Sequence, residues 1–549
     1  MPRRRFDHKT GNVTASRSDK LPPQIPFIIG NEVCERFSFY GMRNILVEFL
    51  SKSALIIAVA ETQRGQEAKE VFHIFVMGVY FFPLLGGWIA DRWLGKYKTI
   101  LYLSLIYAAG HECLAWYSDS KTGFYLGLFL ISLGSGGIKP CVSAFVGEQF
   151  DQTNKHRAKL VFDMFYWSIN FGSLFASWLM PIVLVVWGPR WAFGIPGILM
   201  WIATIIFWLG RKRYVVEPPR PTDPHSFSRV CMTALRAPGS GTARAIMSVG
   251  TLVAVAFLAL AAVDLSRFLA SEEVILGIVQ ALCLALVSFL AFGGVAVAMR
   301  IESARGKHPD VDIDGVKSVL RLLMLFLPIT AFWSLFDQKA STWVLQGTQM
   351  VLPSWNLPDW APSFLQMKKA SQMQSVNPLL VMLLIPFNNT LLYPALKKLG
   401  LNPTPLRRMT AGLVLGGVSW IAIGMLQVQI DGGAKISILW QLVPYVILTL
   451  GEVLVSATGL EFAYSQAPLK MKGVLMSFWS LAVTVGGLWV LLVGATVTSP
   501  SVIKSIESTG FGVTAFQMFF FAGFAFVAAL AFALYAARYQ VVDYYRKAA

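Results

Sequence analysis

Charge is scarce in this chain. Asp, Glu, Lys and Arg make up 14% of its 549 residues, where a soluble domain carries roughly 25%. Cysteine is scarce too. The five residues Cys34, Cys113, Cys141, Cys231 and Cys283 form no paired extracellular pattern and no metal-ligand spacing. Neither a structural disulfide nor a metal site is expected. No G-x-x-x-x-G-K-[ST] run occurs, which excludes an ATP-driven pump built on a phosphate loop. H-E-x-x-H and G-x-S-x-G are missing as well, so no enzyme and no cofactor is expected. A cleavable leader is not read, because the N-terminus is basic and polar rather than a short basic stretch before an apolar one.

What the chain has instead is apolar length. Hydrophobic residues reach 55% and the mean hydropathy is +0.57. A spanning helix needs about 20 apolar residues. Such runs predict spans near 25–50, 70–91, 97–117, 122–146, 162–187, 190–210, 244–265, 273–299, 318–338, 371–396, 408–428, 437–463, 474–498 and 514–537. The net charge of +17 resembles a nucleic-acid signal only until it is placed. Arg92/Lys96/Lys98, Lys155/Arg157/Lys159, Arg211/Lys212/Arg213, Arg305/Lys307, Lys397/Lys398/Arg407/Arg408 and Lys470/Lys472 all fall on one set of loops. That is the positive-inside bias, and attraction to anionic headgroups explains it without nucleic acid. An even number of spans puts both termini in the cytoplasm. The expected organisation is a tail over 1–24, a six-helix bundle over 25–213, a linker over 214–243, an inserted two-helix hairpin over 244–299, a second linker over 300–317, a second six-helix bundle over 318–540 and a tail over 541–549. The hairpin is rich in Ala, Leu and Val, and its membrane core carries no charge, so it reads as lipid-facing. Two six-helix bundles fit a transporter with its site at the midplane between them.

The few charges inside the spans carry the functional signal, because each costs about 2.5–3.5 kcal/mol to insert. Glu32, Arg36, Tyr40 and Arg43 recur at helical spacing in the first span, with Glu35 beside them. They form one polar stripe. Two carboxylates beside arginines form a coupled titrating unit, and protonating one glutamate would release an arginine. The same stripe also fits a purely structural ion network. His73 lies in the second span, and histidine as a residue type titrates near physiological pH, so it is a candidate second proton site, with Tyr80 on its face. Lys139 lies in the glycine-rich run Gly134–Pro140, which allows close helix approach. Tyr166/Asn170, Trp333/Asp337 and Glu452/Ser456 are pairs four apart, and Asn377 stands beside Pro378. These faces fit a shared lumen, though Asn170 and Ser456 fit interhelical hydrogen bonding equally well.

At this point the motifs match a family. Glu32–Gly41 (EVCERFSFYG) resembles the E-x-x-E-R-F-x-Y-Y-G signature of the proton-dependent oligopeptide transporters, a branch of the major facilitators. Phe39 replaces its first tyrosine. Gly86–Lys98 resembles the major-facilitator loop signature. Phe165–Leu174, Phe332–Gln346 and Gly451–Pro468 resemble further signatures, including those of animal members. The extra helix pair resembles the bacterial type. The resemblance implies an all-α major facilitator fold and a proton-driven symporter of di- and tripeptides by alternating access. A monomer in a bacterial inner membrane is expected, with protons as coupling ion. It implies that Tyr40, Arg43 and Lys139 hold the peptide carboxylate and that Asn170, Asn377 and Glu452 hold its amine. Tyr80 and Tyr166 contact the backbone, and Trp333, Ser456 and Trp479 line side-chain pockets. Proton coupling falls to Glu32, Glu35, Arg36, His73 and Asp337. Arg43–Asp337 and Lys139–Glu452 are the implied gating pairs. A nitrate or small-anion transporter of the same family is the alternative, and a non-transporting nutrient receptor is the alternative of another class.

Overall fold

Nearly every apolar run becomes a helix, because backbone in hydrocarbon must satisfy its own N–H and C=O groups. The architecture is that of a computed structural model, which describes residues 4–6, 13–15, 21–56, 60–150, 158–219, 223–237, 241–269, 275–354, 366–466, 471–497 and 499–541. Lys155, Arg157 and Lys470 of the expected basic loops lie outside the described residues, as does most of each tail. Near the N-terminus, Arg4–Phe6 and Val13–Ala15 pair as two short antiparallel strands.

The first six spans are α1 (Ile25–Lys52), α2 (Glu61–Ile89), α3 (Gly95–Trp116), α4 (Lys121–Glu148), α5 (Ala158–Val186) and α6 (Pro189–Leu209). Here α1 packs on α5 and α6, α2 on α4, and α3 on α4 and α6. A short helix α7 (Phe227–Arg236) precedes the hairpin of α8 (Gly241–Leu269) and α9 (Ile275–Arg300), and α9 leans on α2 and α4. The remaining chain forms α10 (Asp310–Asp337), α11 (Thr342–Gly347), α12 (Val376–Phe387), α13 (Tyr393–Lys398), α14 (Pro405–Asp431), α15 (Leu442–Glu452), α16 (Thr458–Gln466), α17 (Lys472–Thr496), α18 (Pro500–Glu507) and α19 (Val513–Ala536). There α10 packs on α17 and α19, and α14 on α15 and α19.

Two spans are broken into pieces. One runs from the 3-10 turn Ala370–Ser375 through α12, a π turn (Asn388–Leu392) and α13. The other joins α15 to α16 through the π turn Val453–Ala457, and a third π turn, Ala90–Leu94, follows α2. Among the described residues, twelve stretches are long and apolar enough to cross a membrane. One of them, Gln63–Trp116, contains both α2 and α3. Helix α1 carries too many charges to read as apolar, yet its 28 residues rise about 42 Å at 1.5 Å each. Fourteen helical spans result, as expected.

Close packing places the polar groups. Gly86 on α2 faces Gly137 on α4, and a Cβ on Gly86 would stand 2.1 Å from the Gly137 carbonyl oxygen. Only glycine permits that approach. Pro140 lies inside α4 and contributes no N–H to its ladder, so Lys139 sits at a loosened turn beside this crossing. The two halves meet chiefly through α2 against α17, and through α5 against α12 and the Ala370–Ser375 turn.

Candidate functional site

Helix α1 delivers the polar stripe to the seam between the halves. Arg36 Nε lies 2.6 Å from Glu32 Oε1 and 3.1 Å from Glu35 Oε2, and both carboxylates are buried. One guanidinium therefore serves two acids, so protonation of either weakens the triad rather than one contact. Two turns along α1, Arg43 Nη2 donates to Asp337 Oδ1 of α10 at 2.7 Å. This pair is buried and crosses from one half to the other. Arg43 also lies over the Phe72 ring at 5.1 Å.

Lys139 of α4 reaches the same region. Its ammonium stands 4.7 Å from the Phe39 ring centre and 4.4 Å from that of Tyr80. The phenylalanine that replaces the family's tyrosine thus keeps a role, as a π face under a cation. Tyr40 packs edge-on against Phe39.

The opposite wall comes from the second half. Asn377 at the start of α12 donates through Nδ2 to Glu452 Oε2 at 2.6 Å and Thr449 Oγ1 at 3.0 Å. Its Oδ1 accepts from Lys339 Nζ at 2.8 Å. An amide here joins a cation to a carboxylate that would otherwise stand alone. Trp333 of α10 and Trp479 of α17 meet edge to face at 6.3 Å, with Phe326 and Phe336 around them. Gly486 makes room for this wall, since a Cβ there would sit 2.8 Å from the Trp333 Cβ. Ser456 lies in the π turn one residue past its middle, half-buried. On α5, Asn170 donates to its own helix at the Tyr166 carbonyl, 3.0 Å away, and Tyr166 remains exposed.

Cross-half polar contacts gather at the end where α1 finishes and α2 begins. Arg43–Asp337 is one. His73 Nε2 and Ser341 Oγ share a hydrogen bond of 3.0 Å with both residues fully buried. Ser371 Oγ donates to Glu48 Oε2 at 2.7 Å, Lys369 Nζ lies 2.9 Å from Glu48 Oε1, and Gln374 Nε2 donates to the Asn44 carbonyl at 2.8 Å. A narrow crevice of mixed polarity, lined by Gln66, Lys69, Glu70 and His73 of α2, by Gln338, and by Val490, Leu491 and Gly494 of α17, lies at this end.

The structure brings together Glu32, Glu35 and Arg36, brings Arg43 onto Asp337, and brings Asn377 onto Glu452. It does not pair Lys139 with Glu452. Lys139 is held over two rings of the first half, while Glu452 is held by Asn377, and among the described residues no ion pair joins them. Sequence reasoning passed over Lys339, although it stands two residues beyond Asp337 within a quoted motif. It also passed over Glu48, whose signal was a carboxylate inside the apolar end of α1. Among the described residues no group of three or more His, Cys, Asp or Glu is arranged to hold a metal ion.

Comparison with known proteins identifies the family and the fold. The model of the POT family (PTR2) matches residues 97–511. The chain is 34% identical over 430 residues to Peptide transporter family 1 of Drosophila melanogaster, covering 75% of this chain and 48% of that one. It is 31% identical over 443 residues to Solute carrier family 15 member 1 of Oryctolagus cuniculus, covering 75% and 52%. The chain thus spans about half the length of the curated relatives it matches. Among solved structures, an auto-inhibited POT family peptide transporter superposes with a TM-score of 0.88 at 57% identity, covering 96% of this chain and 99% of that one. The POT family transporter PepTSo superposes with a TM-score of 0.88 at 56% identity, covering 96% and 100%. The fold is that of a multi-pass membrane protein with the major facilitator arrangement implied by its motifs.

Proposed function

We propose, from the premise that the chain belongs to the POT family, that it imports di- and tripeptides together with protons by alternating access. The observation that carries this reading is two sets of buried polar groups of opposite sign, one on each half. Arg36, Arg43 and Lys139 supply cations from the first half, and Glu452 with Asn377 supplies an anionic pole from the second. A short peptide is a zwitterion and needs both. Its carboxylate would take Tyr40, Arg43 and Lys139, and its amine would take Asn170, Asn377 and Glu452. Tyr80 and Tyr166 would flank the backbone. Trp333, Ser456 and Trp479 would receive side chains, since aromatic burial is non-directional and tolerates many of them.

The division of labour follows from charge balance. Arg43–Asp337 would lock the end at which α1 finishes, with His73–Ser341 beside it. Lys139–Glu452 would form only when the opposite end closes, which accounts for their separation while the α1 end is shut. Within the coupling group Glu32, Glu35, Arg36, His73 and Asp337, protonation of a carboxylate would release its arginine to the peptide, with His73 beside them on the proton path. A peptide terminus competes for the same cation, so proton and peptide shift one equilibrium together. The boundaries expected above separate the moving bodies: bundles over 25–213 and 318–540, linkers over 214–243 and 300–317, and a lipid-facing hairpin over 244–299. We place the chain in a bacterial inner membrane as a monomer with both termini in the cytoplasm.

The test is uptake of a labelled dipeptide into proteoliposomes under an imposed pH gradient, inside alkaline. Accumulation above equilibrium is expected. Uptake indifferent to the gradient would refute proton coupling. Competition by nitrate but not by dipeptides would favour the small-anion reading, against which Glu452 speaks. Peptide binding without flux would favour a receptor.

A further inference from the structure

We propose that Glu48 is a latch carboxylate, passed between two lysines as the halves close and part at the end where α1 finishes. The inference rests on the alternating-access reading and adds to it a residue outside the peptide cleft. Three observations meet at one side chain. Glu48 is only 2% exposed, although it lies four residues before Lys52, the last of α1. Both its oxygens are held by the second half: Oε1 by Lys369 Nζ at 2.9 Å and Oε2 by Ser371 Oγ at 2.7 Å. Its own helix offers a further cation, Lys52 Nζ, 3.8 Å from the same Oε1 and 61% exposed.

A buried carboxylate needs partners. When the Ala370–Ser375 turn withdraws, Glu48 loses both of its partners at once. Left alone, it would oppose separation. Lys52 prevents that. It lies one turn beyond Glu48, in the favoured glutamate-to-lysine order, at a helix C-terminus that attracts cations. In the closed arrangement Lys369 is nearer and holds Oε1, while Lys52 stands off in solvent. In the separated arrangement Lys52 takes over with water. The two lysines therefore bias the same equilibrium in opposite directions through one carboxylate. A residue that only packs the interface would not produce opposite signs.

The test measures the equilibrium directly. Spin labels at exposed Ala54 and Thr348, one on each half, report the separation by pulsed dipolar spectroscopy. The full-length protein sits in lipid nanodiscs, with its five native cysteines replaced. Two distances are expected in the wild type, with peptide shifting their ratio. Lys369→Met is expected to raise the separated share roughly tenfold, as a charge-assisted buried contact is lost. Lys52→Met is expected to lower that share about twofold. In a Glu48→Gln background both lysine changes should have no further effect. Ser371→Ala, which leaves every charge in place and disturbs folding least, should raise the separated share about threefold. Lysine variants that shift the ratio in the same direction, or not at all, would overturn the latch while leaving alternating access standing. A wild type with one distance, with and without peptide, would overturn both.

Discussion

Replacing Asp337 with alanine should open the end of the molecule that is closed here. The guanidinium of Arg43 and the Asp337 carboxylate are 2.7 Å apart with side chains 8% and 5% exposed. Removing one member leaves a buried cation, which costs about 3–5 kcal/mol. The Phe72 face, 5.1 Å from Arg43, returns about 1–2 kcal/mol of that. A net penalty of about 2–3 kcal/mol on the closed arrangement corresponds to a shift of roughly 30- to 150-fold toward separation. Asp337→Asn keeps an acceptor at Oδ1 and loses only the charge, so about 1 kcal/mol and roughly fivefold is expected. Thr342, buried in the closed end, reports the change when replaced by cysteine. Its reaction rate with an impermeant maleimide, applied from that side of proteoliposomes, scales with the separated fraction. Alanine should accelerate modification far more than asparagine. A rate within twofold of the parent protein in the alanine variant would refute the assignment of Arg43–Asp337 as the lock.

Other consequences are open to direct measurement. Lys139→Met should weaken dipeptide binding roughly tenfold and leave a C-terminally amidated dipeptide unaffected, as a calorimetric titration of both ligands would show. Glu452→Gln should weaken a free dipeptide similarly and an N-acetylated one not at all, with Lys339→Met acting in the opposite direction by removing the cation that Asn377 links to Glu452. Glu32→Gln and Glu35→Gln should retain peptide exchange and lose gradient-driven accumulation; normal accumulation in both would remove them from the coupling machinery. Gly86→Leu should lower the thermal unfolding temperature in detergent by several degrees, because overpacking the α2–α4 crossing costs about 1–3 kcal/mol. An unchanged melting curve would contradict that contact.

The bundle architecture was legible in the sequence because hydrocarbon leaves the backbone one solution per span. Boundaries at polar ends were not. The second span reads from 70, yet α2 begins at Glu61, since the turns through Gln66 and Lys69 continue the ladder beyond the apolar run. The helix α7 was hidden in a linker rich in proline and arginine, where Phe227, Val230 and Ala234 space an apolar face too short to stand out. Polar residues on α1 were readable from their spacing alone. Spacing did not give their partners: Arg43–Asp337 spans 294 residues and no local pattern encodes it, so that pair was named by the family resemblance alone. Lys339 escaped notice for a related reason: a lysine near a helix end reads as a residue reaching for the interface, while its hydrogen bond to Asn377 depends on the approach of α12.

The π turn Val453–Ala457 follows Glu452 directly and carries Ser456. Such a turn holds one residue more than the helix around it needs. That surplus can travel. Moving it by one position along the helix turns the intervening side chain by about 100° and advances it about 1.5 Å, with no ladder broken elsewhere. Such a shift would re-aim Glu452 and Ser456 in direction more than it would displace them. A companion π turn, Asn388–Leu392, lies in the neighbouring span. In the proposed transporter, the second-half wall would then re-aim its polar groups while the aromatic pair Trp333 and Trp479 keeps its contact. On that reading, tolerance of unlike side chains and grip on the termini would be separable, one set by rings and the other by where the surplus residue rests.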